Sequence, residues 1–192
     1  MTDQNEPYPL PALPELINLE GYPVISYVHP QVMANFLLAL SRTVSLKDFD
    51  AILVNLNGGR FLFDFLCQSQ NLSPHDLPVA EIEYHRPANG YSADIVTPVP
   101  DWCKQTEKVL GIDDILDTGG VLSAIATEVP QAAFAIAVWK PDIPNQIRVP
   151  NPTRIAFRSV NRWLGGVGMN LGDPYPLDFP RLYAGLVIKP GS

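Results

Sequence analysis

The sequence predicts an α/β fold, a mostly parallel central sheet flanked by helices, and three observations carry that expectation. Uninterrupted apolar runs at 51–54, 109–112 and 133–139 have the length of strands and are bounded by polar turns. Strands buried on both faces read in this way, because neither face meets water. Helical spacing follows the first two runs, and strand–helix–strand alternation favours a parallel sheet with ligands at the carboxyl ends of its strands. A chain of 192 residues suffices for one domain with a sizeable core.

Taken in order, residues 1–20 carry Pro7, Pro9, Pro11 and Pro14 and read as an extended arm. Pro30 can open a helix, where its missing amide costs nothing. Val32, Phe36, Leu37 and Leu40 then recur at helical spacing as far as Ser41. Residues 51–56 form a buried strand, and Gly58 and Gly59 turn it into a helix whose core face is Phe61, Leu62, Phe65 and Leu66. Residues 79–84 are a second strand. Residues 85–105, with three prolines and a glycine, form a long loop of the kind that compact domains reserve for function or mobility. The central strand spans 109–113, the next helix 120–127 and a further strand 133–139. Past Lys140 prolines break the alternation, where a small cap is expected. The organisation expected is a single domain: an N-terminal arm at 1–25, a core at 26–140, and a hood with a final strand at 141–192.

Composition narrows the partners. No apolar run is long enough to cross a bilayer, and the first residues are too polar and acidic for a secretory leader, so a cytoplasmic protein is expected. Cys67 and Cys103 are then reduced thiols, and two cysteines so far apart are no metal cluster. A net charge of −7 argues against a nucleic-acid partner. A small anionic ligand stays possible, since local amides, a lysine and Mg²⁺ can outweigh a negative average. His29, His75 and His85 lack the spacing of a metal site or triad and read as structural or surface residues.

The chemistry concentrates at Val109-Leu-Gly-Ile-Asp-Asp-Ile-Leu-Asp-Thr-Gly-Gly120. A buried strand that meets paired acids, Asp113 and Asp114, and turns through glycines into a helix builds a phosphosugar site. Amides of residues 117–121 can converge on a phosphate, where the helix dipole also favours negative charge. The paired carboxylates can accept hydrogen bonds from neighbouring ribose hydroxyls.

This stretch resembles the phosphoribosyl-pyrophosphate (PRPP) signature of type I phosphoribosyltransferases, and three further landmarks stand in that family's order. Ala51-Ile-Leu-Val-Asn-Leu-Asn-Gly-Gly-Arg-Phe-Leu-Phe-Asp64 is similar to the strand, glycine loop and helix that bind pyrophosphate. Phe134-Ala-Ile-Ala-Val-Trp-Lys-Pro141 resembles the strand and lysine with which the 6-oxopurine branch, the hypoxanthine/xanthine–guanine enzymes, recognises its base. Trp163-Leu-Gly-Gly-Val-Gly-Met-Asn170 and Tyr183-Ala-Gly-Leu-Val-Ile-Lys-Pro190 are similar to the hood of that branch.

The resemblance implies the type I fold and an enzyme of purine salvage. It would transfer the phosphoribosyl group of PRPP to a purine base, a 6-oxopurine, giving a nucleoside 5′-monophosphate and pyrophosphate. Asp113 and Asp114 would bind the ribose hydroxyls and, with Asn170, lie at the Mg²⁺ that the family uses. Asp117, Thr118, Gly119, Gly120 and Val121 would cradle the 5′-phosphate, Asp117 also acting as the catalytic proton acceptor. Asn57, Gly58 and Gly59 would turn amides to the pyrophosphate. Lys140 would donate to the exocyclic oxygen of the base, Trp163 would stack on its ring, and Leu164 would line the pocket. No membrane and no nucleic acid are implied; a homo-oligomer, dimer or tetramer, is, and the proline-rich arm at 1–20 could reach a neighbouring subunit.

The sequence also departs from the family's pattern. Asn57 stands where many 6-oxopurine enzymes carry a lysine or arginine, with Arg60 near enough in sequence to substitute for that charge. Val121 replaces a threonine, and Asn170 an aspartate. The mobile loop's Ser-Tyr pair has no clear counterpart beyond Tyr84 or Tyr91. Trp163 has a second reading, as a plug beneath the cap. Two other functions stay open: a non-catalytic PRPP- or nucleotide-binding regulator, and a phosphoribosyltransferase with a different acceptor base.

Overall fold

A computed structural model describes residues 15–19, 21–56, 58–85, 92–148, 153–171 and 183–191. The described chain opens with a hairpin, β1 (Glu15–Leu19) and β2 (Tyr22–Val28), followed by α1 (Pro30–Ser41), β3 (Ala51–Asn55), α2 (Gly59–Ser69) and β4 (Val79–Ile82). A small ribbon of β5 (Tyr84–His85) and β6 (Asp94–Ile95) and the single turn α3 (Asp101–Lys104) lead to β7 (Val109–Leu116), α4 (Gly120–Glu128) and β8 (Ala133–Trp139). β9 (Thr153–Arg158), β10 (Leu164–Gly165) and β11 (Leu186–Ile188) follow.

Strands β4, β3, β7, β8 and β9 make, in that spatial order, a five-stranded sheet in which every neighbouring pair is parallel. The continuous apolar runs follow from its two covered faces. Along β3, Ile52 and Val54 enter the core shared with α1 and α2, whereas Ala51 and Leu53 enter the core shared with α3 and α4. Period-two alternation is present, but with both faces dry it leaves no polar imprint. The N-terminus of α1 is closed by His29, whose Nδ1 accepts the amide of Gln31 at 3.3 Å, so this histidine serves structure. Among the described residues no helix is long and apolar enough to cross a membrane.

Three expectations change. β7 does not stop at the paired acids. It runs to Leu116, because β8 continues alongside it, pairing Asp113 with Ile136 and Leu116 with Trp139. The expected arm is not extended from residue 15 onward: β1 and β2 belong to a second, antiparallel sheet of order β1-β2-β11-β10. Pro23 is tolerated in β2 because β11 pairs with Ile25, Ser26 and Val28, so among the described residues no second strand is registered against position 23. Residues 1–14 of that arm lie outside the described residues. The expected loop 85–105 contains β6 and α3, with 86–91 likewise outside. β9 completes the central sheet, and β2 pairs with β11 in the second one.

Candidate active site

The carboxyl ends of β3, β7 and β8 lie at one end of the central sheet, with Gly58, Gly59, Asp113, Asp114, Asp117 and Lys140 at or near them. Asp113 and Asp114 are buried, at 2% and 5% exposure. A carboxylate withdrawn this far from water needs hydrogen bonds in exchange. Asn55 Nδ2 donates to Asp113 Oδ1 at 2.5 Å, and the Asp114 amide donates to the same oxygen at 2.9 Å. Asn55, fully buried at the end of β3, was missed by sequence reasoning. Its signal was available: a lone amide closing an apolar strand, one step beyond the Val54–Ile112 register pair and therefore level with Asp113.

The glycine turn after β3 closes onto these acids. A Cβ on Gly58 would occupy the space of the Asp114 carboxylate, and one on Gly59 would strike the carbonyl of Ile112. The start of α2 therefore lies directly against β7, its Gly58 cap offering no side chain to the first-turn amides. α4 begins in the same way. Gly119 caps it in the left-handed region (φ 84°) and offers its first amides no side chain, and no acid occupies its first turn. Free amides at a helix start suit an anion. Val121 turns its side chain into the core with Leu122 and Ile125, so at most its backbone amide is available to a phosphate.

Lys140, 7% exposed at the end of β8, places Nζ 3.9 Å from Asp117 Oδ2. The pair is an ion pair rather than a direct hydrogen bond. A segment absent from the sequence reading lies behind it. Gln146 donates Nε2 to the carbonyls of Asp117 and of Lys140, the latter at 2.9 Å, and accepts Trp139 Nε1–H at 3.2 Å. The amide of Ile147 donates to the carbonyl of Thr118 at 2.7 Å. The Ile147 carbonyl lies where a Cβ on Gly119 would stand.

The hood supplies the facing wall. Leu164 is buried in β10 and its side chain belongs to the main core. Trp163 is 57% exposed, so it does not plug the core. Gly166, Val167 and Gly168 all have positive φ, at 95°, 46° and 107°. For a buried β-branched residue such as Val167 that conformation is strained. The turn brings Gly168 against the carbonyl of Gly58 and the Cβ of Asp114, with exposed Asn170 two residues on. Arg60, the suggested substitute for a lysine at 57, is engaged elsewhere: Asp64 holds it at 2.9 Å and Glu81 of the edge strand β4 at 2.7 Å, over the Phe63 ring. Asn57 and Tyr91 lie outside the described residues.

Among the described residues no three His, Cys, Asp or Glu side chains form a metal cage. Two adjacent carboxylates nevertheless suit Mg²⁺, which binds through one or two protein carboxylates and completes its shell with water and substrate oxygens.

No protein-family model and no curated protein matches the chain. Solved structures do. A hypoxanthine phosphoribosyltransferase from Staphylococcus aureus superposes with a TM-score of 0.66 at 16% identity, covering 86% of this chain and 91% of that one. The hypoxanthine phosphoribosyltransferase from Trypanosoma cruzi in complex with the product IMP gives 0.65 at 14% identity, with 86% and 94% covered. A hypoxanthine-guanine phosphoribosyltransferase from Bacillus anthracis gives 0.62 at 14% identity, with 85% and 95% covered.

Proposed function

We propose that this chain, which has the type I phosphoribosyltransferase fold, transfers the phosphoribosyl group of PRPP to a 6-oxopurine base. The observation that carries this reading is the Asp117–Lys140 pair, 3.9 Å apart, standing between an uncapped helix start and the buried acids of β7. A purine N–H needs an acceptor and its exocyclic oxygen a donor a few ångströms apart, and the pair offers both.

Breaking the anomeric carbon–oxygen bond puts positive charge on the sugar and negative charge on the departing pyrophosphate. A protein promotes this by holding the sugar, neutralising the leaving group and placing the attacking nitrogen in line. In our reading the amides of Thr118, Gly119, Gly120 and Val121 hold the 5′-phosphate, and Asp114 accepts the ribose hydroxyls. Amides at Gly58 and Gly59, with Asn57, receive pyrophosphate. Asp113 and Asp114 would hold Mg²⁺ together with substrate oxygens, Asn170 nearby in the hood, and the charge neutralisation it supplies when bound serves the leaving group. Lys140 Nζ donates to the exocyclic oxygen, Asp117 takes the proton that the purine ring loses as the attacking nitrogen bonds to the sugar, and Trp163 covers the ring, losing its exposure.

Pyrophosphate release with PRPP and Mg²⁺, against hypoxanthine, guanine, xanthine, adenine, uracil and orotate, tests this. Release with a 6-oxopurine supports the reading. Release with another base only would keep the phosphoribosyl transfer and discard the roles of Lys140 and Trp163. PRPP binding by calorimetry without release would replace the enzyme with a binding regulator. Asp114→Ala should weaken that PRPP binding, and unaltered affinity would end its ribose role.

A further inference from the structure

We propose that Gln146 is a positioning residue that sets the gap between Asp117 and Lys140, a role that rests on the phosphoribosyl-transfer reading of that pair. The last rung of the ladder between β7 and β8 is the amide of Lys140 donating to the carbonyl of Leu116 at 3.0 Å. Beyond it the chains part: Asp117 turns into the phosphate loop and Lys140 leads to Pro141. Two carbonyls on diverging chains, Asp117 and Lys140, then face the place where a further rung would lie.

The Gln146 carboxamide fills it. Its two N–H groups serve these two carbonyls, and its oxygen takes Trp139 Nε1–H, so both donors are committed and one group spans both strand ends. The next residue repeats the tie through the backbone, Ile147 N–H to Thr118 O at 2.7 Å. Residues 146–147 thus strap the phosphate loop to the end of β8. Gln146 donates to the main chain of Asp117 and Lys140, the two residues whose side chains the proposed function assigns to the base. Its effect on the reaction is through them. Only a side chain with two donors on one nitrogen can do this. Glutamate presents oxygens to two carbonyls, leucine of similar size offers nothing, and asparagine is one methylene short.

The test compares Gln146→Leu, Gln146→Asn and Trp139→Phe with the parent protein in steady-state kinetics, counting active sites by PRPP binding. Because an ångström of misplacement can cost about 100-fold, Gln146→Leu is expected to lower kcat/KM for the base by that order, with KM for the base raised and PRPP affinity nearly kept. Gln146→Asn should follow it, which keeps the test available if the leucine variant does not fold. Trp139→Phe removes one bond of three and should cost a few-fold only. A purely structural glutamine would lower the melting temperature and the number of active sites while KM and kcat per folded site stay unchanged, and that result overturns the proposal. Ligand-free crystal structures decide the geometry whether or not a base is turned over. A widened Asp117–Lys140 separation in Gln146→Leu or Gln146→Asn upholds the strap even if the parent shows no turnover, which defeats only the reading of function. An unchanged separation overturns it.

Discussion

The two walls of the candidate site are built by opposite means. The core wall comes from short stretches, 55–56 with 58–59 and 113–121, brought side by side by the parallel register of β3 and β7. Asp113 is held by Asn55 at the end of β3, Gly58 and Gly59 lie against β7, and Gly119 lies against the carbonyl of Ile147. The hood wall is a turn of successive left-handed residues held by β10, β11 and β2, strands from the two ends of the chain. Placing charge near a reacting centre calls for the first kind of construction, whereas covering a base calls only for a surface that seats on it. The core wall should therefore govern turnover, and the hood wall affinity for the base.

The sharpest test of that division replaces one side chain in each wall. Asp117→Asn removes the proposed proton acceptor without changing shape and should cut kcat by about 10²–10⁴, leaving PRPP affinity largely intact by calorimetry. Trp163→Leu should raise KM for the base by the equivalent of about 1 kcal/mol, with kcat little changed. Unchanged turnover in Asp117→Asn would remove its assigned role. A kcat loss in Trp163→Leu as large as in Asp117→Asn would erase the division itself.

Glycines test the same division through the backbone. Gly119→Ala and Gly168→Ala each force a side chain into the left-handed region and against a carbonyl, of Ile147 and of Gly58 respectively. Each should destabilise by about 1–3 kcal/mol, a fall in melting temperature of roughly 2–12 °C for a chain of this size. Their functional signatures should differ: Gly119→Ala weakens PRPP binding, whereas Gly168→Ala raises KM for the base. Equal losses of PRPP affinity would show that the hood turn belongs to the phosphate side.

Asn55→Leu probes the core wall alone. It takes a donor from a buried carboxylate, for which about 1–3 kcal/mol of stability is expected by chemical denaturation. No measurable loss would mean that Asp113 is held well enough without it.

What the sequence disclosed follows this division. The strand 133–139 stands as read, and the parallel sheet follows from apolar runs that only double burial explains. The acids and glycines of 113–120 are a local pattern, recognisable because strand, turn and helix start are consecutive. β7 was read three residues short because Asp113 and Asp114 look like a strand end, while pairing with β8 carries the strand through them. β1 and the start of β2 read as an arm because Pro7, Pro9, Pro11, Pro14 and Pro23 speak against a strand, and only β11, far along the chain, shows where Pro23 is tolerated. Asn55 is legible only by its place at the end of an apolar strand, and Gln146 not at all, because its partners are two main-chain carbonyls and an indole N–H on other segments, which no spacing announces.

The smallest effect expected lies in the two cysteines, which report on the two faces separately. Cys67 shares its core with Leu164, Val167 and Met169 of the hood, whereas Cys103 lies in the core beneath α4. Burial pushes both thiols up to about 11 from an ordinary 9.0, the charge of Asp64 adding to the effect at Cys67. Since the folded value lies above the unfolded one, the stability contributed by the protonated thiols is complete below pH 9 and is lost as pH rises through about 11. At pH 8 both should react with iodoacetamide far more slowly than in the denaturant-unfolded chain. If the hood wall is the looser of the two, mild denaturant should expose Cys67 to alkylation before Cys103, as mass spectrometry can follow. Simultaneous labelling would mean that hood and core open as one unit, and the contrast between the walls would then be one of chemistry and not of stability.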